Sequence, residues 1–415
     1  MRAHRAFVAA ALASLPAPPG AGAEPAAAAA SVYKYTSLAQ TPPMGWNSWN
    51  TFGCNISEAL IRETADAMVK SGMRDAGYVY VNIDDCWHGE RDANGAIQAN
   101  SARFPSGMKA LADYVHAKGM RLGLYSDAGE KTCGGHPGSQ GHEYQDALQY
   151  SRWGVDYLKY DWCNTEDRQP AEAYRTMAKA IMAAGRPMVF SICEWGTNKP
   201  WSWGTPLGHL WRTTGDITNC WDCTVGHGSW SSSGIMQILD KQDDLRKHGG
   251  PGHWNDPDMM EVGNMPAVNE DRAHFAMWAM LAAPLVAGND VRKMSDATRA
   301  ILTNKEVIAV DQDPLGLSGF AHRKEGGVEI WVKPLAGDAW AVALLNRNRD
   351  ARPITIDWKK ERFEDALNQR DTVFAKATYA ARNLFAHAPA GTTAAPLKVT
   401  VAGHDVAMFR LDRRP

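Results

Sequence analysis

The run YLKYDW, residues 157–162, sets one lysine and one aspartate inside an apolar, β-forming stretch. At the C-terminal tip of a buried parallel strand the Asp161 carboxylate would be poorly hydrated, and the nearby Lys159 ammonium would favour its charged, reactive form. Such a group is suited to be a nucleophile. A second carboxylate, Asp216, follows LWRTTG on a glycine-containing loop. Two carboxyl groups across one pocket mouth, about 5–7 Å apart, can cleave a glycosidic acetal without metal or other cofactor. One attacks the anomeric carbon; the other protonates the leaving oxygen and then activates water.

Elements that would position the pair are legible around it. From about residue 40 to 312, short apolar or β-branched runs alternate with amphipathic helical stretches, as in repeated βα units. Candidate strands are 44–46, 78–84, 121–126, 157–161, 188–193, 209–213, 252–255 and 284–287. Ser57 is placed to cap a helix with Leu60, Ile61, Ala65, Met68 and Val69 on one face, ended by Gly72. Met108, Leu111, Ala112 and Val115 repeat the pattern before Gly119. Eight units match an α/β (β/α)8 TIM barrel, whose active site lies at the strand C-terminal ends. Acidic residues collect there: Asp84, Asp85, Asp127, Asp161, Glu194, Asp216, Asp256, Asp258 and Asp290. Asp127, Asp256 and Asp290 are expected to cap turns or support their neighbours. After Asp313-Pro314-Leu315-Gly316, period-two alternation predicts a small C-terminal antiparallel β-domain. The expected layout is a secretory leader at 1–23, a linker at 24–40, a barrel at 41–314 and the β-domain at 315–415.

Composition narrows the partners. Lys plus Arg (44) nearly balances Asp plus Glu (46), so no global field attracts nucleic acid or an anionic membrane. Sixteen tryptophans recur beside Asp, Asn and Glu, an association that suits sugar rings, which stack on indole while their edges hydrogen-bond. Arg2 and Arg5, the apolar run to Leu15 and the small residues Ala21, Gly22 and Ala23 form the leader signature, implying a secreted or periplasmic protein. Seven cysteines are then read in an oxidising compartment. Cys54 with Cys86, and Cys133 with Cys163, follow successive strand ends and could staple neighbouring loops. Cys220 and Cys223 could form a local bridge, leaving Cys193 free; their Cys-x-x-Cys spacing also fits a metal site, but no second such pair accompanies it. No metal or cofactor is expected.

The motifs PPMGWNSW, NIDDCW, LGLYSDAGEKTC, YLKYDWC, CEW, WRTTGDI and WNDPDM, in this order, resemble glycoside hydrolase family 27, the α-galactosidases and α-N-acetylgalactosaminidases. The resemblance implies a barrel with a C-terminal β-sandwich and cleavage with retention of configuration. It places the nucleophile on Asp161 and the acid/base on Asp216. It assigns substrate binding to Trp49 as a stacking platform, Asp84 and Asp85 as acceptors from galactose hydroxyls, and Tyr125, Cys133, Lys159, Glu194, Arg212 and Asp258. Glu194 would hydrogen-bond the 2-hydroxyl, where members accepting N-acetylgalactosamine have smaller residues. The expected substrate is therefore a small-molecule or polysaccharide galactoside, with terminal α-galactose released from oligosaccharides or galactomannan. Rival readings are a β-L-arabinopyranosidase or α-N-acetylgalactosaminidase of the same family, a catalytically silent sugar-binding barrel, and a metal-dependent hydrolase on a similar barrel.

Overall fold

A computed structural model describes residues 32–414. The expected leader, and the linker as far as residue 31, lie outside the described residues.

Eight parallel strands curl into one barrel-like sheet: β1 (Met44–Asn47), β2 (Tyr80–Asn82), β3 (Arg121–Asp127), β4 (Tyr157–Asp161), β5 (Val189–Ile192), β6 (Leu210–Arg212), β7 (Trp254–Asp256) and β8 (Leu285–Ala287). The hydrogen-bonded order is β7-β6-β5-β4-β3-β2-β1-β8, so each strand lies beside its sequence neighbour, as right-handed βα crossovers demand. Closure between β7 and β8 comes from the segment after β7. There Met260 N–H donates to Val286 O at 2.7 Å, and Met260 O accepts from Gly288 N at 2.9 Å. All eight expected strands are present, shifted at most two residues at an end.

Helices cover the outside. Glu58–Lys70 starts where Ser57 Oγ accepts from Leu60 N at 3.2 Å, and buries Leu60, Ile61, Ala65 and Met68 against the sheet. Gly107–Ala117 buries Met108, Leu111, Ala112 and Val115 in the same way. These stripes hold the strand ends at fixed height, and hence the loops that carry the chemistry.

Residues 32–40 do not behave as a free linker. Lys34 Nζ donates to Gly208 O at 2.8 Å and Gly252 O at 2.6 Å, and Ala39 O accepts from Trp254 Nε1 at 2.7 Å. Leu38 and Ala39 pack on Tyr80, Tyr157, Leu210 and Trp254, sealing the barrel at the strand N-terminal ends. The alanine-rich composition stops at Ala30; Tyr33, Lys34 and Leu38 supply apolar surface and a donor for the exposed carbonyls.

Beyond the barrel, Phe320–Glu325, Val328–Leu335, Ala339–Asn346, Asp405–Arg413, Tyr379–Asn383 and Ala388–Thr392 form a six-stranded antiparallel sheet in that order. Two short strand pairs complete a separate core around Trp340, Trp358, Phe363 and Phe374. This sheet docks on the helix Val268–Leu281: buried Lys333 donates to Ala279 O at 2.9 Å, and Arg272 pairs with Asp405.

Candidate active site

A cavity of about 450 Å³ opens at the C-terminal ends of the barrel strands. Its wall brings together Asp161 and Asp216 with Trp49, Asp84, Asp85, Tyr125, Cys133, Lys159, Arg212 and Asp258. They come from loops or strand ends dispersed over more than two hundred residues and converge because every strand points the same way.

Asp84 and Asp85 follow β2. Asp84 Oδ2 accepts from Asn47 Nδ2 at 2.7 Å and Lys159 Nζ at 2.8 Å, while its N–H donates to Ser48 Oγ at 3.0 Å. Asp85 is held by the N–H groups of Gly134 at 2.7 Å and Cys86 at 2.6 Å. Burial raises the Asp85 carboxyl above its usual range. Fixed acceptors of this kind select a sugar by the placement of its hydroxyls.

Asp161 ends β4, 5% exposed, with Oδ1 accepting from Trp162 N at 3.0 Å. Burial pushes its carboxyl up to about 6; Lys159 opposes the shift, and the charges of Asp216 and Asp84 add to it. Desolvation thus outweighs the lysine, whereas the sequence suggested that the lysine would prevail. Lys159 itself, although burial disfavours its charge, is held well above the lysine range by Asp84 and Asp161. Beside Asp161 on β3 stands Asp127, which accepts from Gly129 N at 2.7 Å and Cys163 N at 3.0 Å. It ties the loops after β3 and β4 together, the supporting role expected of it. Burial, then the Asp161 charge, raises it to about 8.

Asp216 lies on the loop after β6 with its side chain 37% exposed, facing the cavity mouth. Buried Arg212 reaches Asp216 Oδ1 at 3.1 Å and Asp258 Oδ2 at 2.8 Å. Asp258 Oδ2 also accepts from Ile217 N at 2.9 Å, anchoring the Asp216 loop from the neighbouring strand. The Asp258 backbone takes φ of +99°, rare for a residue with a Cβ. Asp256 Oδ1 holds that turn by accepting Asp258 N–H at 2.9 Å, again as a support. Burial raises the Asp258 carboxyl to about 7, Arg212 working against the shift. Asp290 caps the short turn Val291–Lys293.

Three disulfides frame the rim. Cys54–Cys86 joins the loops after β1 and β2, Cys133–Cys163 those after β3 and β4, and Cys220–Cys223 closes a local loop after β6. Cys133 and Cys163 both line the cavity, and Tyr125 OH donates to Cys133 Sγ at 3.3 Å. Cys193 is a free, buried thiol. With Cys220 and Cys223 bonded to each other, their Cys-x-x-Cys offers no thiolate pair to a metal.

Glu194 is the expected residue that the cavity wall does not include. It is 0% exposed, with Oε2 taken by Asn198 N at 2.6 Å and Asn198 Nδ2 at 2.9 Å, and burial raises it to about 7. The following residue lines the cavity instead: Trp195, in a left-handed backbone conformation with φ of +57°, belongs to the wall while Glu194 stays interior. Trp230, on the hairpin formed by Thr224–Gly226 and Ser231–Ser233, also lines the cavity. Of the two, Trp195 follows Glu194 and so belongs with the tryptophans beside Asp, Asn and Glu, whereas Trp230 lies between Ser229 and Ser231 and carries no such signal.

The family model described as alpha galactosidase A matches residues 41–313, and that of the alpha galactosidase C-terminal beta sandwich domain matches residues 325–411. The chain is 59% identical to alpha-galactosidase A of Cellvibrio japonicus over 385 residues, covering 93% of this chain and 95% of the relative. It is 46% identical to alpha-galactosidase 2 of Arabidopsis thaliana over 381 residues, 91% of each chain. The Saccharomyces cerevisiae α-galactosidase solved with raffinose superposes with a TM-score of 0.85 at 30% identity, covering 93% of this chain and 100% of that one. Barrel, sandwich and sequence agree: the chain belongs to the α-galactosidase (melibiase) family, glycoside hydrolase family 27.

Proposed function

We propose that this α-galactosidase releases terminal α-linked galactose from oligosaccharides or galactomannan by double displacement, with Asp161 as nucleophile and Asp216 as acid/base. The observation that carries the reading is the pairing of a buried carboxylate at the tip of β4 with a part-exposed one on the loop after β6, both in the wall of one cavity.

Galactose enters with Trp49 against its apolar face. Its 4- and 6-hydroxyls lie close together, and the adjacent carboxylates Asp84 and Asp85 accept from them; Lys159 and Arg212 supply donors to the remaining oxygens. Oδ1 of Asp161 is engaged by the Trp162 N–H, so Oδ2 is the atom free to attack the anomeric carbon. As the new C–O bond forms, Asp216 gives its proton to the departing glycosidic oxygen, and the leaving group exits as an alcohol. Water then enters, Asp216 takes its proton, and hydroxide displaces Asp161, so two inversions give net retention. The cycle balances with protein groups and water alone.

Export into an oxidising compartment is part of the same reading, supported by the three disulfides. Among the described residues no helix is long and apolar enough to cross a membrane. Proton NMR of a fresh reaction tests the stereochemistry: α-galactose should accumulate before mutarotation, and initial β-galactose would overturn the mechanism.

A further inference from the structure

A second cavity, of about 680 Å³, adjoins the first on the side of the acid/base. Trp49, Asp216 and Trp230 belong to the walls of both. Asp216 therefore stands at the junction, where the bond it protonates must break. Whatever leaves must pass into this groove.

The groove has the chemistry of a sugar site. One side is the side chain of Trp230, 51% exposed. It is not a loose surface residue. His227 stacks on it with ring centroids 4.1 Å apart, and His227 Nε2 is fixed by Ser232 Oγ at 2.9 Å. Its hairpin is bonded to the catalytic loop: Ser233 N donates to Asp216 O, and Thr218 N to Ser233 O, both at 2.9 Å. At the base, Gly234 N donates to Cys223 O at 2.7 Å and Ile235 N to Cys220 O at 3.0 Å, so the Cys220–Cys223 disulfide anchors the hairpin. The opposite side carries Asn50 and Asn264, both bonded to Glu261, at 2.6 and 2.7 Å. A rigid, solvent-facing indole across from ordered amides matches a pyranose ring, apolar on its face and polar at its edge.

We propose that this groove binds the first sugar of the leaving group, with Trp230 as its stacking platform, so that the chain prefers galactosides of oligosaccharides over those with small leaving groups. The inference rests on the galactosidase reading. Because kcat/KM covers only steps through departure of the leaving group, it reports contacts in the groove. Two substrates separate them: α-galactosyl fluoride, whose leaving group is one atom, and an α-galactosyl mannooligosaccharide. In Trp230→Ala the ratio of kcat/KM, oligosaccharide over fluoride, should fall about tenfold, and Trp230→Phe should keep most of it. Cys220→Ser/Cys223→Ser, which frees the hairpin, should lower the same ratio. Equal losses on both substrates, or an unchanged ratio in Trp230→Ala, would overturn the assignment. Failure of the unaltered protein to hydrolyse either substrate would instead refute the galactosidase reading.

Discussion

Lys159 bonds Asp84 and reaches Asp161 only as a charge: its Nζ lies 2.8 Å from Asp84 Oδ2. Lys159 and Asp161 alternate two residues apart on β4 and so share its inward face. One ammonium thus orients the Asp84 carboxylate and lowers the cost of ionising that of Asp161.

That arrangement sets a pH dependence. Asp161 must be ionised to attack, and its carboxyl sits near 6, so kcat/KM should fall as pH drops through about 6. Lys159 works against the burial that raises Asp161. Replacing it in Lys159→Met leaves the Trp162 N–H to oppose desolvation without the ammonium, and the acid limb should move to higher pH. A pH profile of kcat/KM for both proteins reads the shift; an unmoved limb would mean that Asp161 is not the titrating group.

The two carboxylates should respond differently to removal. Asp161→Asn leaves no nucleophile, and turnover should fall by several orders of magnitude on every substrate. Asp216→Ala loses proton delivery, which a good leaving group does not need. An activated aryl α-galactoside should therefore still form the glycosyl-enzyme, and added azide should intercept it from the side that Asp216 serves. The product should be α-galactosyl azide, identified by NMR. A β-azide from this variant would exchange the two roles.

Much of this site could be read from sequence because strand tips are local features: an apolar run ending in Asp161, or in Asp84 and Asp85, announces its own exit from the core. Side-chain direction at a turn is not local. Glu194 and Trp195 are adjacent, and which one faces the cavity depends on the positive φ of Trp195 and of Gly196, at +57° and +75°, which only the packed loop imposes. The Trp230 hairpin escaped for another reason. Its strands Thr224–Gly226 and Ser231–Ser233 are short and largely exposed, so they carry no apolar alternation to detect. Residues 32–40 looked like tether because composition averages over a window, whereas their role at the barrel floor rests on Lys34 and two backbone carbonyls.

The Cys133–Cys163 bridge links two loops that both contribute cavity wall, across 30 residues of sequence. Closing a loop of that length removes denatured-state entropy worth about 3–4 kcal/mol. Cys133→Ser/Cys163→Ser should lower the denaturant midpoint and raise m, because the unlinked denatured chain is less compact. It should also raise KM, since only hydrogen bonds, those to Asp127 and from Asn164 Nδ2 to Lys131 O and Thr132 O among them, would then hold the two loops together. Unfolding curves and initial rates on the same preparations check both; a full loss of stability with KM unchanged would restrict the disulfide to a structural role.

Specificity at the 2-position offers the sharpest test of the Trp195 geometry. The family resemblance puts Glu194 beside the 2-hydroxyl, whereas the residue of that loop found on the cavity wall is its neighbour Trp195. Exclusion of a 2-acetamido group would then be steric. Trp195→Ala should admit an aryl α-N-acetylgalactosaminide, raising its kcat/KM at least tenfold, while that for the α-galactoside falls through lost packing. Glu194→Gln keeps the Asn198 Nδ2 contact only by reorienting its amide and should leave the ratio of the two substrates near its starting value. A ratio that moves with Glu194→Gln but not with Trp195→Ala would return the 2-hydroxyl to the carboxylate, and with it the reading first drawn from sequence.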